Sequence, residues 1–257
     1  MAYKSGNGTD TKSAGRTKKT TIDALIFFPV RPRYGAMIQK KLTINNIVLL
    51  ICLIVMILFF PALSFKRMII KSILFTAIVV FGTFSLDFAK RAQKVLIASG
   101  ILTISLNWLD HFFLGYVLDL VSYFSFFFFN LFIVVFMVRH IAQSKRVNVT
   151  IILNSINGYL LIGILGSVLL VMTEILQKFP YYLDAGAINF AGGSAKGFHD
   201  FLYFSFVTLT TLGYGDVTPV SGFAKSATLL IAVTGQLYLT ILIAMLVGKF
   251  LSRTETD

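Results

Sequence analysis

The residues best suited to chemistry lie at positions 208–219, in the stretch TLTTLGYGDVTP. Its centre is Thr211-Leu212-Gly213-Tyr214-Gly215, where two glycines alternate with larger residues. Glycine gives the backbone access to conformations that are closed to other L-residues. A short extended strand of this kind can direct successive carbonyl oxygens to one side. Four such strands around an axis would form stacked oxygen rings able to replace the hydration shell of a cation, and the Thr211 hydroxyl could add a ring at the inner end.

The composition indicates where such a loop would reside. Hydrophobic residues make up 56% of the 257 positions, phenylalanine occurs 26 times, and only 13% of the residues are charged. A soluble domain of this size could not bury so much apolar surface, so we expect an integral membrane protein. The one cysteine, Cys52, cannot form an intrachain disulfide, and three scattered histidines argue against a His-rich metal site. We expect no enzymatic activity, no resident cofactor and no nucleic-acid partner.

The loop resembles the selectivity filter of potassium channels. Thr-Leu-Gly-Tyr-Gly-Asp is nearly identical to the Thr-Val-Gly-Tyr-Gly signature of that family, and a pore-helix-like sequence, FHDFLYFSFVTLT, precedes it. Over residues 149–253 the chain resembles bacterial six-transmembrane potassium channels of the ion-channel family, which carry a single pore loop. The inner-helix sequence GQLYL matches at 235–239. Met245 replaces an arginine in the later AMLVG, and Lys249 could serve as the cationic anchor instead.

This resemblance implies roles for individual residues. Potassium would be the permeant ion, bound by the backbone oxygens of Thr211, Leu212, Gly213 and Tyr214, with Gly215 completing the filter. Supporting roles would fall to Thr210, Asp216, Tyr203 and Phe204. The two aromatic residues would pack beside Tyr214, and Tyr203 could also hydrogen-bond Asp216. Val207 stands where some members of the family have a carboxylate, so an acid pair with Asp216 cannot form.

Six apolar segments approach or exceed the roughly 20 residues that a helix needs to cross a bilayer. They are predicted at 43–61, 68–88, 95–109, 116–138, 151–176 and 223–251, of which the third is the weakest. The predicted fold is therefore an all-α integral membrane protein. A four-helix transmembrane domain at 43–146 precedes a pore domain at 147–253, which comprises an outer helix, a turret, a pore helix at 198–210, the filter and an inner helix. The remaining segments are a basic, partly disordered tail at 1–42 and a short tail at 254–257.

The basic residues predict an orientation. With both termini in the cytoplasm, 17 of the 23 Lys and Arg residues fall on the inner side, as the positive-inside rule requires, and the filter loop falls outside. Lys66, Arg67 and Lys71 fall on the outer side and are expected to reach toward headgroups. No signal peptide is expected, and the resemblance implies a bacterial inner (plasma) membrane. Residues 22–30 could form an interfacial helix whose flanking basic residues meet anionic lipid, or the tail could be loosely ordered and only set the topology.

Gating is less well specified. The segment 116–138 lacks the arginine ladder of a voltage sensor, which argues against strong voltage gating. Gly235 lies twenty residues after Gly215, where the family places a gating-hinge glycine, although close helix packing is an equally good physical reason for it. A step of four residues from Gly235 gives Leu239, Ile243 and Val247, which would line the pore and form an apolar gate. Only six residues follow Leu251, so we expect no cytoplasmic ligand-binding domain.

These observations predict a potassium-selective channel that conducts passively. One chain carries one filter loop and the oxygen cage needs four, so we expect each chain to assemble with three identical subunits. Two alternatives remain open. The first is a transporter or potassium-uptake subunit, although such proteins carry four unequal pore loops on one chain. The second is a membrane sensor or scaffold in which conduction is secondary.

Overall fold

A computed structural model describes residues 36–60, 67–87, 90–112, 115–144, 147–178, 186–193 and 197–254. Most of the predicted basic tail, including the predicted interfacial segment at 22–30, lies outside the described residues. Lys66, much of the predicted turret and the last three residues also lie outside them.

The described chain is mostly helical, as predicted for a membrane protein. Its elements are α1 (Ala36–Ile54, continued by a π-helical turn at Val55–Phe59), α2 (Arg67–Phe84), α3 (Lys90–Phe112), α4 (Tyr116–Gln143), α5 (Val149–Lys178), β1 (Ile188–Phe190), α6 (Phe198–Leu209), β2 (Val217–Pro219) and α7 (Gly222–Thr254). Five helices, α1, α3, α4, α5 and α7, are long and apolar enough to cross a membrane. The chain is therefore an integral membrane protein. The two short strands were not predicted.

Helix α2 ends four residues earlier than the sequence indicated. The predicted segment reached Phe88, whereas the helix stops at Phe84 and its apolar part, Ile69–Phe84, is shorter than the others. Two asparagines of α1 explain the stop. Asn45 Nδ2 donates to the carbonyl oxygen of Phe84, and Asn46 Nδ2 donates to that of Ser85, each at 2.8 Å. Carbonyls that would otherwise lack partners at a helix end are thus satisfied by a neighbouring helix.

Helix α3 is longer than predicted. The predicted segment is 95–109, the weakest of the six, whereas the helix covers Lys90–Phe112. Its polar side chains find partners on neighbouring helices. The hydroxyls of Thr103 and Ser125 lie 2.8 Å apart, and Trp108 Nε1 donates to Thr76 Oγ1 at 3.1 Å. Because hydrocarbon offers no hydrogen bonds, such interhelical pairs make a polar helix compatible with the membrane interior.

Helix α5 is the centre of the fold, in contact with α1, α4, α6 and α7. Three of its glycines lie where a side chain would overlap an opposing residue. The pairs are Gly158 with Tyr238, Gly163 with Phe206 and Gly166 with Ser205. Small residues at these positions let the neighbouring helices approach closely. Among the five long apolar helices, α5 is accordingly the most buried and α7 the least.

Two fully buried asparagines join α1 to α5. Asn157 Nδ2 lies 3.0 Å from the carbonyl oxygen of Asn46 and 3.1 Å from its Oδ1. Interhelical hydrogen bonds in membrane proteins contribute about 0.6 kcal/mol on average and at most about 1.7 kcal/mol. We therefore expect a double-mutant cycle of Asn46→Ala and Asn157→Ala, measured by unfolding in detergent, to give a coupling energy in that range. Asn46→Ala combined with Asn130→Ala, a buried asparagine bonded to Phe126 of its own helix, should be additive. Equal coupling in both cycles would contradict the assignment.

Candidate functional site

Helix α6 presents the predicted loop. The helix begins where Asp200 Oδ2 accepts a hydrogen bond from the backbone N–H of Gly197 at 3.2 Å, a pairing that caps the first turn. It ends at Leu209, one residue before the predicted end. Thr210 Oγ1 then donates to the carbonyl oxygen of Phe206 at 2.7 Å. This bond satisfies a C-terminal carbonyl and marks where the loop departs from the helix axis.

The backbone of the loop alternates in handedness. The angle φ is +62° at Thr211, +57° at Gly213 and +82° at Gly215, whereas Leu212 and Tyr214 keep negative values. The two glycines adopt positive φ without steric cost. Thr211 is β-branched, and a conformation of this kind costs on the order of 1–3 kcal/mol at a residue other than glycine. The loop therefore holds a conformation that its surroundings must stabilise.

The N–H groups of the loop are bound on the side of α6. Leu212 N and Gly213 N donate to the carbonyl oxygen of Val207, at 3.0 and 3.4 Å. In a trans peptide the C=O points opposite to the N–H of the next residue. The carbonyls of Thr211 and Leu212 therefore face away from α6. In a single chain all five residues of the loop are exposed, Tyr214 to 68%.

Oxygen atoms of the backbone are thus what the loop offers to a ligand. Among the described residues, no group of three or more His, Cys, Asp and Glu could hold a metal ion. A row of carbonyls without carboxylates suits a monovalent cation better than a divalent one, which proteins usually bind through carboxylates.

The predicted hydrogen bond beside the loop is present. Tyr203 Oη donates to Asp216 Oδ2 at 2.7 Å. This bond raises the pKa of Tyr203 to about 12, and smaller contributions come from partial burial and from the charge on Asp216. Phe204 is buried within its own chain while Tyr214 is exposed. The packing of Tyr203 and Phe204 beside Tyr214 consequently stays a prediction.

The C-terminal end of the loop is held by a small antiparallel sheet that was not predicted from the sequence. Strand β1 pairs with β2, which starts directly after Asp216, and Ala191 N donates to the carbonyl oxygen of Asp216 at 2.9 Å. Glu174 in α5 supports this sheet, because its Oε2 accepts the N–H of Ala187 at 2.8 Å. Its other carboxylate oxygen pairs with Lys178 at 2.9 Å. The one available signal was an acidic residue within an apolar helix, since such residues usually have a specific partner.

The structure brings Gly235 of α7 against the end of α6. A Cβ at this position would lie 2.7 Å from both the carbonyl oxygen and Cδ1 of Leu209. Close packing against Leu209 is therefore one reason for a glycine at this position. Helix α7 is continuous from Gly222 to Thr254. The hinge role stays a prediction. Of the residues predicted to line a pore, Leu239 is half-buried, whereas Ile243 and Val247 are exposed in the single chain.

Lys249 connects the C-terminal part of α7 to the C-terminal end of α4. Its Nζ contacts the carbonyl oxygen of Ile141 and donates to that of Ala142 at 3.2 Å. The last carbonyls of a helix carry partial negative charge and attract a cation. Lys249 therefore acts as the cationic anchor that the sequence suggested in place of an arginine at Met245.

A family model matches the part of the chain that contains this loop. Residues 168–252, about a third of the chain, match the family model described as "Ion channel". This segment is similar to an ion channel. Two-pore potassium channel 4 of Arabidopsis thaliana is 38% identical over 67 residues, which are 26% of this chain and 24% of that protein. The alignment thus spans about a quarter of the relative, and no solved structure matches. Channels carry out no covalent chemistry, in agreement with the prediction that the chain is not an enzyme.

The contact of Gly235 can be tested against a second glycine of the same helix. Gly235→Ala places a methyl group against the Leu209 backbone, and overpacking of this kind costs about 1–3 kcal/mol. Gly248 has no atom within 4 Å of the corresponding position. Gly248→Ala should instead stabilise the helix by up to about 1 kcal/mol. Thermal unfolding of the purified protein should lower Tm for the first variant and leave or raise it for the second. The opposite order would contradict the packing.

Because of its hydrogen bond to Asp216, the Tyr203 hydroxyl should lose its proton only at strongly alkaline pH. Because the folded-state pKa lies above the ordinary value of 10, the bond stabilises the fold fully below pH 10. That stabilisation declines as the pH rises toward about 12. Subtracting the absorbance titration of Tyr203→Phe from that of the unsubstituted protein should reveal one tyrosine that ionises near pH 12. In Asp216→Asn this tyrosine should ionise closer to pH 10. An unchanged titration in Asp216→Asn would show that the carboxylate does not cause the shift.

Proposed function

We propose that the protein is a potassium-selective ion channel, built from four copies of the chain, that conducts passively through the loop 211–215. The observation that carries the proposal is the loop backbone: alternating φ, N–H groups bound by Val207, and carbonyls directed away from α6. The similarity of residues 168–252 to ion channels and of 67 residues to a potassium channel supports the same function.

The chemistry of the loop favours a dehydrated potassium ion. Four loops around an axis would stack rings of backbone oxygen from Thr211, Leu212, Gly213 and Tyr214, and these would replace the water that the ion gives up. Ions in adjacent rings would repel one another, so that binding at each ring stays weak enough for the ion to leave. The C-terminal end of α6 adds the negative end of a helix dipole near the inner rings.

The exposed surfaces of the single chain support the assembly. The loop is exposed, and α7 also leaves large apolar residues uncovered; among these are Leu229, Leu230, Val233, Leu237, Ile241 and Ile243. Lipid could cover part of such a helix, but a loop of exposed backbone carbonyls is not stable against hydrocarbon. Identical neighbours around a central axis would place the loops together at a water-filled pathway. Closed rotational symmetry is the usual arrangement for copies of one chain.

The inner part of the pathway would be apolar. Ile243 and Val247 are both exposed on α7, near the inner end of the helix in the proposed orientation. Rings of such side chains can close a pore to water without blocking it sterically. Leu239 would lie above them. In this proposal Gly235 serves first to pack the inner helix against the end of α6, and any bending at this position is secondary.

The proposed orientation places both termini in the cytoplasm and Asp216 at the external mouth. The distribution of Lys and Arg supports it. A bacterial inner membrane rests on the resemblance of residues 149–253 alone, and anionic lipid at the basic tail rests on the tail's charge. Strong voltage gating is not part of the proposal, because Arg139 is the first basic residue of α4 and lies near its inner end.

Flux into reconstituted vesicles tests the proposal directly. Vesicles that contain the purified protein should take up potassium or thallium far faster than sodium. Gly213→Ala should abolish selective uptake, because residue 213 has φ of +57° and a side chain there is strained. Gly193→Ala is the matched control, since it has φ of +102° and lies outside the filter. It should retain selective uptake.

Two results would overturn the proposal. Normal potassium-over-sodium selectivity in Gly213→Ala would remove the filter assignment. Absence of any uptake by protein that is correctly inserted and tetrameric would favour a sensor or scaffold. Cross-linking in the membrane provides the count of subunits independently of transport.

A further inference from the structure

A second site lies on the periphery of the described structure, away from the loop. Helices α3 and α4 enclose a cavity of about 340 Å³, within the size range of small-molecule sites, about 300–1,000 Å³. We call this cavity the α3–α4 groove. Its lining includes Val95, Ser99, Thr103, Ser125, Phe132 and Arg139. Val95, Phe132 and the neighbouring Phe128 are exposed in the single chain, so that the groove opens sideways toward the surrounding medium.

The interior of the groove is effectively apolar, although it contains hydroxyl groups. Ser99 Oγ donates to the carbonyl oxygen of Leu96 at 2.9 Å. Thr103 Oγ1 donates to the carbonyl oxygen of Ser99 at 2.9 Å, and it also pairs with Ser125 Oγ at 2.8 Å. These hydrogen bonds occupy the hydroxyls within the helices. Water in the groove would find few partners, whereas a hydrocarbon chain would be well accommodated.

The groove has the length of one membrane leaflet. The lining of α4 extends from Ser125 to Arg139, about 21 Å at 1.5 Å per residue. The lining of α3 extends from Ala92 to Thr103, about 17 Å by the same measure. One leaflet is about 15 Å thick in its hydrocarbon part and about 20–22 Å thick with its headgroup region. The groove therefore reaches from one interface to near the centre of the bilayer, and the basic end is the cytoplasmic one in the proposed orientation.

Arg139 lies at the interfacial end of the groove. It is half-buried, and within the part of the chain that the structure describes no carboxylate or carbonyl pairs with it. Lys94 lies near the same end of α3, is exposed, and does not line the groove. A guanidinium group in this position can bind a phosphate oxygen pair through two parallel hydrogen bonds. A positive group at the mouth of an apolar groove of leaflet depth matches a molecule that has an anionic head and a hydrocarbon chain.

We propose that the α3–α4 groove binds an anionic phospholipid of the inner leaflet, with one acyl chain along the groove and the phosphate on Arg139. The site is separate from the lipid contact suggested for the basic tail, and it does not depend on the proposed channel function. Other occupants, namely a second copy of the chain, neutral bulk lipid or a free phosphate compound, are outcomes of the test.

Quenching by brominated lipids tests the site in the full chain. Trp108 is the single tryptophan, so Trp108→Phe combined with Phe132→Trp gives one fluorescent reporter in the groove. Vesicles of phosphatidylcholine would contain increasing amounts of phosphatidylglycerol brominated on its acyl chains. A hydrogen bond to a charged group contributes more than the general attraction of a surface cation, about 1.5 kcal/mol or more. Adding Arg139→Gln should therefore weaken quenching by the anionic lipid about tenfold.

Two further variants test whether the lipid binds in the groove itself. Lys94→Gln removes a charge at the same end without touching the groove, and it should leave the affinity unchanged. Val95→Trp, read by native mass spectrometry of the retained lipid in the otherwise unsubstituted protein, should fill the groove and displace phosphatidylglycerol. Correct folding is checked by the Tm of each variant.

Several outcomes would overturn the proposal. Equal quenching by brominated phosphatidylcholine would indicate ordinary bulk lipid. Quenching by neither lipid would indicate that another copy covers the groove. Competition by glycerol 3-phosphate as strong as that by the intact lipid would assign the charge to a free phosphate compound. Equal losses of affinity for the anionic lipid in Arg139→Gln and Lys94→Gln would indicate that general surface charge attracts the lipid.

Discussion

The structure depends on where the N–H groups of one short loop find their partners. A row of carbonyls can face a cation only if the amides of the same peptides are satisfied on the opposite side. Val207 fulfils this condition, because its carbonyl accepts hydrogen bonds from two successive loop residues. Helix α6 must therefore stop near this residue and be held firmly. Ser205 Oγ provides one such attachment by donating to the carbonyl oxygen of Gly163 in α5 at 2.7 Å.

Helix α5 controls both ends of the loop. Near its middle, Gly163 and Gly166 allow α6 to approach, which fixes the N-terminal end of the loop. Near its C-terminal end, Glu174 binds the N–H of Ala187 and so fixes the strand that pairs with the residues after Asp216. A loop held at both ends can keep Thr211 in a costly backbone conformation. This double role accounts for the burial of α5, the most buried of the five long apolar helices.

The sequence predicts well what is encoded locally and misses what depends on distant pairs. Apolar segment length predicted six helices, with ends that differ from the observed ones by up to seven residues. The resemblance of the loop to a known motif predicted the Tyr203–Asp216 bond, which spans thirteen residues. The early end of α2 depends on Asn45 and Asn46, about forty residues away, and no periodicity indicates that pairing. The β1–β2 sheet was missed for a similar reason, since each strand has three residues. The sequence cannot distinguish a hinge from close packing at Gly235, because its partner, Leu209, is brought to it only by the packing of α6 on α7.

Helix α1 is connected to α5, and α4 to α7, at the ends that face the cytoplasm in the proposed orientation. Thr43 of α1 pairs with Thr150 of α5 at 2.8 Å, and Lys249 of α7 binds the last carbonyls of α4. Arg139 lies two residues before Ile141, which is less than one helical turn. An anionic lipid bound at Arg139 would therefore lie within one turn of the contact that holds the end of α7, on a different side of α4. Without an arginine ladder in α4, a change in that contact offers a physical route by which the surrounding membrane could bias the inner helix.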